Sequence, residues 1–159
     1  MKASDVDFAA GRYFGGAKQA ASKLPFDAGF ESVGVVAAVG TGVQLRPGQP
    51  VATLTYGGFS EYAVERADLV MPVPEASPRA LVMLTSGLTA SLALEMTGGI
   101  PLDDAVRGGP TKGKPKTVVV TAAARGTGQI AAQPATLAGQ RVVATSGGAA
   151  NAKPLTGPC

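Results

Sequence analysis

Thr117-Val-Val-Val-Thr-Ala-Ala-Ala-Arg-Gly-Thr-Gly-Gln-Ile-Ala-Ala-Gln133 is a β-branched run, a turn of small residues and the opening of a helix. A second β-branched run, Arg141-Val-Val-Ala-Thr145, comes after it. Strand, glycine-rich turn, helix and strand make a βαβ unit, the opening of a dinucleotide-binding fold, in which N–H groups at the helix N-terminus receive a pyrophosphate. Ala124, Arg125, Gly126, Thr127 and Gly128 are therefore candidate cofactor-binding residues. A glycine motif alone is a weak sign, and a tight β–α turn that binds nothing is the competing reading. The first strand shows no alternation, which suits a parallel strand buried on both faces. Pro134 falls inside the expected helix and should end or bend it, since an interior proline costs about 3 kcal/mol.

Upstream, Arg107-Gly-Gly-Pro-Thr-Lys-Gly-Lys-Pro-Lys116 is a low-complexity basic stretch. It reads as a solvated linker or insertion, with contact to an anionic partner as the other reading. Before it, Ser77-Pro78 pairs an N-cap with proline at the first helical position, opening a helix to about Met96. Ser86-Gly87 should kink that helix or divide it, and Thr97-Gly-Gly-Ile-Pro101 should end it. From Glu31 onward the chain reads as β-structure, with Val33, Val35, Ala37 and Val39 alternating. Arg46-Pro-Gly-Gln49 fits a type II turn, and Val51–Thr55 and Phe59–Val64 are expected as further strands. Leu69–Pro74 is held extended by its prolines.

The 159 residues suffice for one domain of ordinary size, or pieces of two. Gly 22 and Pro 12 demand much turn and loop. Charge divides the chain: residues 1–104 hold seven Lys and Arg against eleven Asp and Glu, and residues 105–159 hold seven against none. All eight aromatic residues, Phe8 to Tyr62, fall in the first part. The expected organisation is residues 1–104, a basic loop 105–116, and a nucleotide-binding unit 117–159. Histidine is absent and the sole cysteine is Cys159, which excludes an intrachain disulfide framework, a Cys/His metal cluster and a His-dependent nucleophile. No run of about 18 apolar residues and no secretory signal is visible, so neither a membrane span nor export is predicted.

Ala3-Ser4-Asp5, Ala10-Gly-Arg-Tyr13, Pro25-Phe-Asp-Ala-Gly-Phe-Glu31, Gly58-Phe-Ser-Glu-Tyr62, Ser86-Gly-Leu-Thr-Ala90 and Ala122-Ala-Ala-Arg-Gly-Thr-Gly128 occur in this order. Together they resemble the medium-chain dehydrogenase/reductase superfamily, in its zinc-independent quinone oxidoreductase branch and the prostaglandin reductase type within it. The resemblance implies an α/β chain: a partial β-rich GroES-like catalytic domain, then the first βαβ unit of a Rossmann nucleotide-binding domain. It also implies a piece shorter than the family at both ends. The family's zinc branch carries Gly-His-Glu where this chain has Gly29-Phe30-Glu31, so no metal is expected, and Glu31 reads as a structural group.

The activity implied is NADPH-dependent reduction of an activated carbon–carbon double bond, in enones such as 15-oxoprostaglandins, or of a quinone. Tyr13 stands at the family's Gly-x-Tyr position, as a donor to the developing enolate oxygen or as packing at the mouth of the β-domain. Thr89 is implied to touch the nicotinamide or its phosphate, against a back-bond within the helix. NAD sites carry an acid about 20 residues past the glycine loop. None comes after Asp104, so NADPH is the cofactor expected, its 2′-phosphate met by Ser146 and Lys153. Asn151 replaces a family lysine and Lys2 a family asparagine. Arg125 replaces a family glycine, and either obstructs the pyrophosphate or reaches one of its oxygens. Such departures predict impaired catalysis. The rival function is a non-catalytic fragment whose basic tail binds anionic partners, although no aromatic residue or nucleic-acid module supports specific nucleic-acid binding. Small-molecule substrates, no membrane partner, an undefined oligomeric state and a cytoplasmic location, with the peroxisome as the alternative, complete the expectations.

Overall fold

The computed structural model describes residues 3–13, 24–103, 107–108 and 113–148. The chain divides into two compact units, Met1–Leu84 and Thr85–Cys159.

The first unit opens on helix α1 (Ala3–Ala9) and builds an antiparallel sheet from β1 (Ser32–Val35), β2 (Pro50–Thr53) and β3 (Val70–Pro72), in the order β1-β2-β3. The type II turn forms as its sequence dictates: Gly48 has φ +82°, and the Gln49 N–H donates to the Arg46 carbonyl at 3.0 Å. That turn sets a register in which Ser32 faces Thr53, their hydroxyls 2.8 Å apart. Val51, Ala52 and Thr53 are buried, so the central strand carries the core of this unit. Of the alternating residues, Val33 is half-buried, whereas Val35, the last residue of β1, and Val39 beyond it are exposed.

Phe59–Val64 is not the expected strand. Gly57, at φ +96°, starts a turn in which the Ser60 N–H and hydroxyl both donate to the Gly57 carbonyl, at 3.1 and 2.7 Å. The third strand is Val70–Pro72, at the sheet edge, where the missing N–H of Pro72 leaves no internal ladder bond unmade. The turn is anchored where two glycines cross. The Gly58 N–H donates to the Gly29 carbonyl at 3.0 Å and the Phe59 N–H to that of Ala28 at 3.1 Å. A Cβ on Gly29 would stand 2.6 Å from the Phe59 ring, and one on Gly58 2.9 Å from the Glu31 carbonyl oxygen. Nearby, Phe8 of α1 meets the edge of Phe26 at a centroid distance of 5.1 Å and Tyr56 at 5.5 Å.

Helix α2 runs from Pro78 to Thr97, and the division between units falls inside it. Ser77 caps it, accepting the Ala80 N–H at 3.4 Å, with Pro78 at the first position. Ser86-Gly87 interrupts the α-helical register, as expected, between Pro78–Val82 and Leu88–Leu92. Those residues lie in a π turn, Met83–Gly87, and a second, Ala93–Thr97, ends the element. By length and composition alone α2 could span a bilayer, although polar residues interrupt its apolar run. Its Leu84, Ala90 and Leu94 are buried within the fold.

In the second unit, β4 (Thr117–Val120) and β5 (Arg141–Ala144) pair in parallel, joined by helix α3 (Gly126–Leu137). Leu94, Ile100, Leu102, Ala135 and Ala138 form the core, with Val118 and Val142 packed on it. The expectation of strands buried on both faces is corrected: Val119 and Val143, paired on the opposite face, are 61% and 39% exposed. Nor does α3 end at Pro134. It continues to Leu137, because Ala135 and Ala138 beyond the proline are fully buried in the core. Packing of that last turn offsets the backbone bond that Pro134 cannot donate. Lys116, expected in a solvated loop, is structural. Its Nζ donates to the carbonyls of Gly98 and Gly99 at 2.9 and 3.1 Å, closing the C-terminus of α2 where orphan carbonyls and the helix dipole favour a cation.

Gly29→Ala is expected to destabilise the chain by about 2–3 kcal/mol, combining a left-handed φ with a clash against the Phe59 ring. Thermal unfolding checks this at roughly 4–8 °C per kcal/mol for a domain of this size. An unshifted midpoint would contradict the crossing described above.

Candidate functional site

The glycine-rich turn is built from the end of β4. Val120 is buried, and the chain then reverses through Ala122, which adopts φ +51°, a conformation costing a non-glycine residue about 1–2 kcal/mol. The Arg125 N–H donates to the Ala122 carbonyl at 2.9 Å and closes the turn. Two further bonds clip it to β5: the Ala123 N–H donates to the Thr145 carbonyl at 2.8 Å, and the Thr145 N–H to that of Val120 at 2.9 Å. Gln129 reaches back from α3, its Nε2 donating to the Ala124 carbonyl at 3.0 Å. The turn is thereby held from the strand, the neighbouring strand and the helix.

The two glycines of Gly126-Thr127-Gly128 have different work. A Cβ on Gly128 would stand 2.6 Å from the Ala122 carbonyl oxygen and 2.8 Å from the Ala123 Cα. Gly128 is thus the glycine that lets helix and strand close together. At Gly126 the surroundings are open, and the nearest atom to a Cβ there is the Ser86 Oγ at 3.8 Å. The first N–H groups of α3 have no acceptor within the helix, and the N-cap, Arg125, makes no side-chain cap bond. Backbone approach, open space and donors aimed outward are what an anionic diphosphate requires.

Arg125 is exposed at the mouth of the turn and extended, at φ −103° and ψ 161°, so its side chain imposes no backbone strain. Thr127 is exposed on the first turn of α3, and Ala124 is half-buried beneath it. Ser146 lies just past β5, its hydroxyl donating to the Gly148 carbonyl at 3.1 Å. No acidic residue lies at that strand end. Thr89 is exposed on α2, beside the buried Ala90. Tyr13 belongs to the first unit, in the turn after α1, 60% exposed. Lys2, Asn151 and Lys153 lie outside the described residues. The structure therefore gathers Ala124 to Gly128 into one cradle, with Ser146 beyond the strand that the cradle is clipped to. Two residues of the site escape sequence reasoning. Ala122 takes a left-handed conformation that alanine does not advertise, and Ser86, although part of the Ser86–Ala90 motif, receives no role of its own in the sequence reading. Among the described residues no three His, Cys, Asp or Glu side chains gather into a metal site.

Residues 1–75 match the alcohol dehydrogenase GroES-like domain. Over 147 residues the chain is 40% identical to prostaglandin reductase-3 of Mus musculus, covering 91% of this chain and 34% of that protein. It is 38% identical over 134 residues to a probable quinone oxidoreductase of Leishmania amazonensis, covering 84% of this chain and 34% of the relative. Among solved structures, Escherichia coli quinone oxidoreductase complexed with NADPH superposes with a TM-score of 0.70 at 26% identity, over 96% of this chain and 43% of that one. The chain spans about a third of the length of the curated relatives it matches.

The contrast between the two glycines is testable without any ligand. Gly128→Ala is expected to cost about 1–3 kcal/mol, because both atoms it meets are backbone. Gly126→Ala should leave the thermal midpoint within about 2 °C, its cost in the open turn being a few tenths of a kcal/mol at most. Equal losses in both variants would sink the assignment of packing to one glycine and access to the other.

Proposed function

The chain belongs to the medium-chain dehydrogenase/reductase superfamily, and from that premise we propose that it acts in NADPH-dependent reduction of enones, such as 15-oxoprostaglandins, or of quinones. The observation that carries this reading is the uncapped start of α3, open at Gly126 and free of acidic neighbours in the sequence after Asp104. When bound, NADPH supplies a hydride to the β-carbon of the substrate. What the chain's own residues do is bind and orient. The N–H groups of Gly126, Thr127 and Gly128 hold the diphosphate, and Arg125 adds a charge-assisted donor at the N-cap. Ser146 and Lys153 take the 2′-phosphate, in the absence of the acid that an NAD ribose would need. Thr89 orients the nicotinamide end. Tyr13 donates its hydroxyl hydrogen bond to the substrate oxygen on which negative charge develops.

A second reading rests on charge: the basic C-terminal third, without an acidic residue, would attract anionic partners in a non-catalytic role.

Thermal unfolding with saturating NADPH, and with NADH as control, separates the two. Ligand at about 100 times its Kd adds about 2.7 kcal/mol to the native state. NADPH is expected to raise the midpoint more than NADH, and Gly126→Ala to abolish the rise while leaving the ligand-free midpoint in place. No rise with either nucleotide, together with salt-sensitive affinity for polyanions, would select the non-catalytic reading.

A further inference from the structure

One hydroxyl beside the cradle, that of Ser86, lies in the Ser86–Ala90 motif without an assigned role. Met83–Gly87 is wound as a π turn within α2. Such a turn inserts one residue into the helical register, rotating the later residues of the helix by about 100°. Ser86 sits in this insertion, half-buried, and its Oγ is the nearest atom to the open side of Gly126, 3.8 Å from where a Cβ would stand. Thr89, three residues on, is exposed instead. We infer that Ser86 is a binding residue for the nicotinamide cofactor, its hydroxyl donating to a diphosphate oxygen held over Gly126. The inference rests on the reductase reading and extends it to a residue on a different helix from the glycine loop.

Chemistry favours a serine here over a longer side chain. A hydroxyl beside the first residue of α3 adds a donor to the row of helix N–H groups without filling the space that Gly126 keeps open. The π turn accounts for how it arrives there, and π turns of this kind are frequent at functional sites.

The test uses the full chain and two ligands, NADPH and adenosine 2′-monophosphate, which carries the 2′-phosphate and no diphosphate. Ser86→Ala is expected to weaken NADPH about tenfold, the effect of one hydrogen bond to a charged group. Its affinity for adenosine 2′-monophosphate and its ligand-free melting temperature should stay unchanged. Unchanged NADPH affinity would overturn the assignment and leave the reductase reading standing. Equal weakening of both ligands, or a lowered ligand-free melting temperature, would overturn it in favour of a packing role between α2 and α3. Failure of the unsubstituted chain to bind NADPH would remove the reductase reading and this inference together.

Discussion

Gly128 lies against the carbonyl of Ala122, and the second unit depends on that closeness. With no Cβ at this point, the first turn of α3 can rest on the end of β4, which brings Ala135 and Ala138 down onto Leu94, Ile100 and Leu102. The same contact fixes where the helix begins, and hence where its unsatisfied N–H groups point. Core and cradle are therefore set by one backbone approach. The left-handed Ala122 is the local cost of reversing the chain so tightly, held in place by the bond from Arg125 and the two bonds to β5.

Much of this was legible in sequence where the chemistry is local. Arg46-Pro47-Gly48-Gln49 makes its turn because proline and glycine fit the two central positions. Ser77-Pro78 starts α2 because a hydroxyl acceptor and a preset φ suit that boundary. The strand, glycine turn and helix of residues 117–137 could be read from β-branching followed by small residues. Failures came where distant partners decide. Phe59–Val64 carries strand-forming residues, yet Gly29 and Ala28, far back in the chain, bind its start as a turn. Pro134 reads as a helix end until burial of the residues after it enters the balance. Lys116 belongs by composition to a basic stretch and by geometry to the end of α2.

At the candidate site, sequence reading assigned one role to both glycines. The fold separates them, since the surroundings of Gly126 and Gly128 differ although both belong to one motif. Ser86 illustrates the limit of motif reading more sharply. Its neighbour in the motif, Thr89, carried the family expectation, while the π turn brings the serine to the cradle. Helical periodicity assumes 3.6 residues per turn, and a single inserted residue breaks that assumption without any mark in composition.

The bonds that clip the glycine turn to β5 also govern its motions. Ala123 and Thr145 donate across the strand ends, so the cradle cannot open while β4 and β5 stay paired at Val120. Loop and sheet end therefore form a single cooperative opening unit, and amide hydrogen exchange at Ala123 and Thr145 should proceed with the same protection. A nucleotide seated on α3 would slow exchange at both amides together, the one in the turn and the one at the end of the neighbouring strand.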